Sequence, residues 1–412
     1  MMKNSFNADA INLTIQRALS SAGLNTASGP MHRVTEIIKR ALASAGLRGP
    51  AESPQSPQSA VPTDAVIDVV ARVVNDGDTA PRAPCPTPST STSNGPAVTS
   101  FASESGTFTT HAFSSPVGER SYKLYVPARL AVTVPGAVSD TPQAVVVMLH
   151  GCTQSADDFA AGTQMNRLAD EVGFLVVYPE QAARANASKC WNWFQPQDQA
   201  RDAGEPALIA GIVRQVVAGQ GAGERRVFVV GLSAGAAMAL VMAQAYPEMI
   251  AGVGAHSGLP LGSAHDIPTA LAAMKGGRSG LTGKQRPLGD AQAPRGNAVQ
   301  PVPTIVFHGD RDHTVQHSNG VEIIRQSTSA FGAASHLLAA HTQDGVAPGG
   351  RRYSRTVYAN GSGHALVESW SLHGADHAWS GGDASGTYTD SAGPDASAEM
   401  LRFFLALPRA GA

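Results

Sequence analysis

The chain has 412 residues, 42% of them hydrophobic and 15% charged, with a formal net charge of −2. That length and apolar content support a sizeable core, charged residues fall well below the roughly 25% of ordinary globular proteins, and the slightly negative net charge leaves no electrostatic case for binding nucleic acid or an anionic membrane surface. No apolar run approaches the ~20 residues a membrane-spanning helix needs, and the opening MMKNSFNADAINL lacks the unbroken apolar core of a secretory leader, so the expected location is cytoplasmic.

Residues 1–49 carry an internal repeat. IQRALSSAGL at Ile15–Leu24 returns as IKRALASAGL at Ile38–Leu47. Ile11, Ile15, Leu19 and Ala22 in one copy, and Val34, Ile38, Leu42 and Ala45 in the other, each build one apolar stripe at helical spacing. Gly23 and Gly46 fall where a helix C-cap favours a left-handed residue. Two short amphipathic helices are expected. One reading packs them on each other or on another chain; the other docks them on an apolar surface such as a polymer granule. Residues 50–103 read as a linker, because a stretch dominated by Pro, Ser, Thr and Ala cannot bury enough apolar surface to offset its ordering entropy. Cys85, between Pro84 and Pro86, is expected to be a free thiol there.

From about residue 104 to 412 the pattern is that of one α/β domain. Phe108–Phe113 and Tyr122–Val126 read as strands, followed by Ala144–Leu149, Phe174–Tyr178, Val227–Val230, Thr304–Phe307, Arg355–Tyr358 and Leu366–Leu372, with helical stretches between them. The middle strands are continuously apolar, as in a sheet covered on both faces. Two strands precede the alternation, so the expected fold is a doubly wound, mostly parallel sheet with an antiparallel edge. Lys275–Asn297, rich in Gly and Arg, reads as a surface excursion.

The strongest chemical signal is VFVVGLSAGAAM at Val227–Met238. It is G-x-S-x-G set directly after an apolar strand and opening a helix-prone run, Ala236–Ala245. A sharp strand-to-helix turn would present Ser233 as a nucleophile, with Gly231 and Gly235 removing side chains that would clash. A serine hydroxyl needs a base, itself oriented by a carboxylate, and behind such an elbow the chain order is Ser, acid, His. TIVFHGDRDHTV at Thr304–Val315 offers Asp310 and Asp312; Gly309, Asp312 and Val315 fit the Gly-x-x-Asp-x-x-Val form of an acid loop, which selects Asp312. Asp310, His308 and His313 then shape that loop. GADHAWSGG at Gly374–Gly382 offers His377 as the base, ahead of His373 beside the strand and His364 in a Gly-Ser-Gly turn. The oxyanion donors should be the backbone N–H of Ala234, after the nucleophile, and that of Cys152, from the His150-Gly151-Cys152 loop behind an early strand. There is no Cys/His metal spacing, G-x-G-x-x-G or P-loop, so no cofactor and no metal are expected.

LHGCTQ (149–154), YPEQ (178–181), CWNWF (190–194), GLSAGAAM (231–238), HGDRDHTV (308–315), HAWSGG (377–382) and GPDAS (393–397) together resemble the esterases of the poly(3-hydroxybutyrate) depolymerase family, and are similar also to feruloyl and acetylxylan esterases. The resemblance implies an α/β-hydrolase fold, Ser233, Asp312 and His377 as catalytic residues, and cofactor-free ester hydrolysis. It also places the Cys190 segment near the His-Gly-Cys loop, from which a Cys152–Cys190 disulfide is expected; two reduced thiols are the alternative that a cytoplasmic location favours. Family resemblance and such a bridge make secretion the alternative location. Trp191, Trp193 and Trp379 fall in these motifs, and are expected either to wall the substrate site or to pack in the core. The chain shows no signal peptide and ends at Ala412 without a C-terminal polymer-binding domain, which shifts the expected substrates toward oligomers, short-chain esters or amorphous granules. The rival readings are a feruloyl or acetylxylan type carboxylesterase, a peptidase on the same architecture, and a granule-associated binding protein working through residues 1–49.

Overall fold

The structure is a computed structural model that describes residues 106–131, 144–220, 226–276, 301–331 and 338–408. The chain divides into two units, Met1–Gly95 and Pro96–Ala412, and every described residue lies in the second. The helical repeat, the linker with Cys85 and most of the Lys275–Asn297 excursion lie outside the described residues.

The second unit is built on a ten-stranded sheet in the order β1-β2-β4-β3-β5-β6-β7-β10-β9-β8. Its strands are β1 (Thr107–Ser115), β2 (Gly118–Val126), β3 (Val145–Leu149), β4 (Leu175–Pro179), β5 (Val227–Leu232), β6 (Ile250–His256), β7 (Thr304–Gly309), β8 (Ala339–Val346), β9 (Arg352–Ala359) and β10 (Ala365–Leu372). The run from β4 to β10 is parallel. Antiparallel strands flank it on both sides, β1 and β2 at one edge and β9 and β8 at the other. The second antiparallel edge goes beyond the sequence expectation, because β8 is exposed almost throughout and carries no apolar alternation to announce it.

Alternation within the buried strands feeds two cores. Val145, Val147 and Leu149 point to one, with α3 (Gly204–Gly219) and α4 (Ala234–Ala245). Val146 and Met148 point to the other, with α1 (Ala156–Thr163), α2 (Met165–Val172) and a C-terminal helix. Two further helices, α5 (Ile267–Met274) and α6 (Ser318–Ala330), follow β6 and β7, and α7 (Ala396–Leu405) closes the chain. Asp395 caps α7, its side chain accepting the Ala398 N–H at 2.9 Å, which gives the aspartate of GPDAS a structural role.

The register decides where chemistry can occur. Leu149 pairs with Gly231, Leu232 with His256, His256 with Phe307, and Leu372 with Gly309. The carboxyl ends of five parallel strands therefore finish level, and the loops leaving them converge on one rim of the sheet, the place where such sheets bind ligands.

On the opposite side of that architecture, Phe404 stacks on Phe228 with ring centroids 4.5 Å apart and an interplanar angle of 6°. Gly252 makes room for it: a Cβ there would lie 3.0 Å from Phe404 Cδ1. Phe404→Ala should cost about 3–5 kcal/mol of unfolding free energy. Urea denaturation of the variant measures this, and a loss below about 1 kcal/mol would contradict the packing described.

Candidate active site

β5 ends at Leu232 and α4 starts at Ala234, leaving a single residue to turn the chain. Ser233 makes that turn with φ 57° and ψ −120°, a conformation that a side-chain-bearing residue holds only when its surroundings enforce it. Its N–H donates to the His256 carbonyl at 2.9 Å. The two glycines of the motif have the steric role expected of them. A Cβ at Gly231 would lie 2.2 Å from the Gly235 carbonyl carbon, and one at Gly235 would lie 2.0 Å from the Leu149 carbonyl oxygen and 2.6 Å from that of His150. The start of α4 is thereby pressed against the end of β3, with its first-turn N–H groups pointing to the rim.

Asp312 and His377 are brought together. Asp312 Oδ2 accepts from His377 Nδ1 at 2.7 Å, while Oδ1 accepts the N–H groups of Thr314 at 2.9 Å and Val315 at 2.8 Å. Burial alone would raise the Asp312 pKa, but the His377 hydrogen bond, its charge and the Val315 N–H outweigh it and hold the carboxyl below its ordinary value. With Nδ1 committed to Asp312, Nε2 is the ring nitrogen of His377 left free of that pair. Asp310 faces elsewhere, pairing with His373 Nδ1 at 3.0 Å and accepting the Gly374 N–H at 2.7 Å. His308 supports the acid loop from below: Nε2 donates to the Val315 carbonyl at 2.8 Å and lies 3.5 Å from Asp312 Oδ2. Its Nδ1 has no partner among the described residues and abuts Gly320, and burial pushes its pKa down to about 4.

The His150–Gly151–Cys152 loop is fastened from several sides. Gln154 accepts the Gly151 N–H at 2.9 Å through Oε1 and donates through Nε2 to Asp158 and to the Thr387 carbonyl. His150 Nε2 accepts the Gln181 N–H at 3.1 Å, and its carbonyl accepts from Trp191 Nε1 at 3.2 Å. Gln181 in turn donates to the Cys190 carbonyl at 2.9 Å and to the buried Glu205, which also receives the Asn192 N–H at 2.7 Å. Cys152 and Cys190 form the expected disulfide. Neither the Cys152 N–H nor the Ala234 N–H has an acceptor among the described residues.

His256 was not singled out from the sequence, because IAGVGAH is too rich in glycine and alanine to mark a strand. It is fully buried at the end of β6, and joins two parts of the site. Its carbonyl receives the Ser233 N–H, and its Nε2 accepts the Ser380 N–H at 3.0 Å, three residues past His377. The ring stacks on Trp379 at 5.1 Å and on Phe307 at 5.8 Å. Burial first, then the proximity of His308 and His377, lowers its pKa to about 3, so it stays neutral.

The tryptophans follow their packing alternative. Trp191 and Trp379 are 0% and 1% exposed and Trp193 is 6% exposed, in keeping with core packing. The physical reason is that their N–H groups and rings bind the site loops internally: Trp191 to His150, and Trp379 to Ser397 Oγ at 3.2 Å.

A mostly parallel sheet with helices on both faces, a serine on a strained strand-to-helix turn and an aspartate–histidine pair on the same rim define an α/β-hydrolase. Acetyl xylan esterase from Aspergillus awamori has the same fold, with a TM-score of 0.52 at 19% identity over 73% of this chain and 100% of that one. The family model described as esterase PHB depolymerase matches residues 120–347, and the chain belongs to that family. It is similar to poly(3-hydroxyalkanoate) depolymerase C of Paucimonas lemoignei, at 34% identity over 57% of this chain and 54% of that protein. Feruloyl esterase B of Neurospora crassa is 36% identical over 35% of this chain and 46% of its own length, and acetylxylan esterase A of Talaromyces purpureogenus 29% identical over 64% and 68%. The chain thus spans about half the length of the first two of these relatives.

Two measurements test this geometry. Under denaturing conditions without reductant, thiol titration should find one reactive cysteine of the three in the chain, and three after reduction; three at the outset would exclude the bridge. His308 and His256 titrate lower in the folded than in the unfolded chain, so the unfolded state binds more protons between about pH 6.5 and 4, and stability falls as pH drops through that window. His308→Gln should flatten that dependence by on the order of 1–3 kcal/mol across the window. Urea unfolding at pH 6.5 and pH 4.5 checks this, and an unchanged slope would contradict a buried neutral His308.

Proposed function

We propose that the chain is a serine esterase that hydrolyses hydroxyalkanoate ester bonds, in polyester or its oligomers, through an acyl-enzyme. The observation that carries this reading is the 2.7 Å Asp312–His377 pair on the rim that also holds Ser233 at its strained turn. In this mechanism Ser233 Oγ attacks the ester carbonyl carbon while His377 Nε2 takes its proton. Asp312 fixes the tautomer with Nδ1 protonated and stabilises the imidazolium. The carbonyl oxygen, now negative, is held by the N–H groups of Cys152 and Ala234, neither of which has an acceptor among the described residues. The tetrahedral adduct collapses as His377 returns its proton to the leaving alcohol oxygen. Water then attacks the acyl-enzyme with His377 again as base, releasing the acid and restoring Ser233.

The family and the depolymerase relative support the hydroxyalkanoate substrate; the feruloyl and acetylxylan esterase relatives support a carboxylesterase of that type as the second reading. Residues 1–49 would dock the enzyme on a polymer granule through their apolar stripes. The disulfide favours an oxidising compartment, and with it the secreted alternative over the cytoplasm. Among the described residues no helix is long and apolar enough to cross a membrane.

Ser233→Ala should lower kcat on p-nitrophenyl butyrate by several orders of magnitude. Near-normal turnover by that variant would overturn the assignment. A panel of hydroxybutyrate oligomers, feruloyl and acetylxylan esters should show the highest kcat/KM on the oligomers; a preference for either of the others would move the chain to the second reading. Removal of residues 1–49 should abolish co-sedimentation with polymer granules while soluble-ester turnover persists.

A further inference from the structure

With the tryptophans withdrawn into the core, one aromatic side chain remains open to solvent at the rim. Tyr388 is 47% exposed, and is the one aromatic among the exposed large apolar side chains of the described residues. Its phenol lies 3.2 Å from Thr153 Oγ1. Because the Thr153 hydroxyl donates to the Cys152 carbonyl at 2.6 Å, the phenol is the donor of that pair. At the other end of the residue, the Tyr388 carbonyl accepts the Trp379 N–H at 2.6 Å, two residues beyond His377. Tyr388 therefore spans from the loop that supplies the Cys152 N–H to the loop that carries the base.

The span is rigid and strained. Tyr388 has φ 54° and Thr153 φ 67°, both left-handed, and neither residue is glycine or asparagine. Such conformations persist where neighbouring contacts over-determine them, and they cluster at functional sites. Here Asp158 accepts the Thr387 N–H at 2.9 Å and its hydroxyl at 2.6 Å, and Thr389–Asp390 pairs as β12 with β11, Trp379–Ser380. With its hydroxyl engaged by Thr153, the ring has apolar contact left to offer.

We propose that Tyr388 is a specificity-determining residue that packs against the leaving-alcohol side of the ester. This assignment rests on the serine-esterase reading. The imidazole must return a proton to the alcohol oxygen, so the alcohol lies on the His377 side of the carbonyl, the side to which Tyr388 is tied by its backbone. The acyl chain is a separate substituent of the carbonyl carbon and leaves it in another direction within the ester plane. The ligand chemistry is an ester whose alcohol portion carries an aromatic or extended apolar group.

The test compares the purified chain with Tyr388→Ala on ethyl and benzyl butyrate, whose alcohols are of similar acidity, and on benzyl acetate. The benzyl-over-ethyl preference in kcat/KM should fall about five- to tenfold, the worth of one aromatic contact, while the benzyl acetate to benzyl butyrate ratio stays within about twofold of its parent value. Tyr388→Phe, which keeps the ring, should retain the preference. Tyr388→Asn, whose residue type tolerates the left-handed backbone, should show the same loss and serves where the alanine variant fails to fold. A shift in the acyl ratio in place of the alcohol ratio, or no shift in either, overturns the role of Tyr388. If the parent chain turns over none of the three esters, the esterase reading falls with it, so the two failures are told apart by the parent alone.

Discussion

A Cβ on residue 235 would sit 2.0 Å from the Leu149 carbonyl oxygen and 2.6 Å from that of His150. That contact brings the first turn of α4 against the end of β3, and the remaining geometry of the rim depends on it. Ser233 takes its strained backbone because the chain has one residue in which to turn from β5 into a helix this close to its neighbour. The His-Gly-Cys loop begins at the same contact, so the proposed nucleophile and the proposed oxyanion donors share one steric reference. The level ends of β6, β7 and β10 then bring the acid and histidine loops to the same rim.

Around that contact, buried imidazoles act as spacers. His150, His256 and His308 are each at most 2% exposed, and in each one ring nitrogen is bonded to a backbone group of another loop. Desolvation lowers the pKa of all three, which favours their neutral forms; a charged imidazolium at His308, 3.5 Å from Asp312 Oδ2, would compete with His377 for that carboxylate. His377 differs from them in its hydrogen bond: at 2.7 Å it engages a carboxylate whose other oxygen is already held by two backbone N–H groups, whereas the nearby His308 gives its Nε2–H to the Val315 carbonyl. A fixed carboxylate partner is what singles out one histidine among several for the proposed role of base.

The segment from Gln181 to Glu205 belongs to the same site, although no reacting group comes from it. Glu205 collects Gln181, Asn192 and Arg120 in the interior, and these hold Cys190 and Trp191 against the His-Gly-Cys loop. Disulfide, tryptophan N–H and amide network fasten one short loop whose N–H must not move by a fraction of an ångström if it is to hold an oxyanion. The burial of Trp191 goes with this role, its N–H bracing the His150 carbonyl from beneath.

Much was legible from residue type and order. The strand-to-helix turn at Ser233, the choice of Asp312 over Asp310 as the partner of His377 and the parallel sheet each rest on short-range signals: a glycine spacing that only a tight turn needs, a short acid-loop pattern, or an apolar run that only a covered strand tolerates; the Cys152–Cys190 pairing was implied by the family resemblance. What depends on approach between distant segments was not legible. His256 lies 124 residues from the Ser380 N–H it accepts, and its own strand is too glycine-rich to be read as one. The exposed strand β8 has no pattern of its own and exists through its pairing with β9. Trp191 and Tyr388 look alike in sequence as aromatics beside motifs, and only the fold sends one to the interior and leaves the other at the rim. Local chemistry is written in the order of residues; burial and facing are properties of the packed chain, because they arise from which remote surfaces each side chain meets.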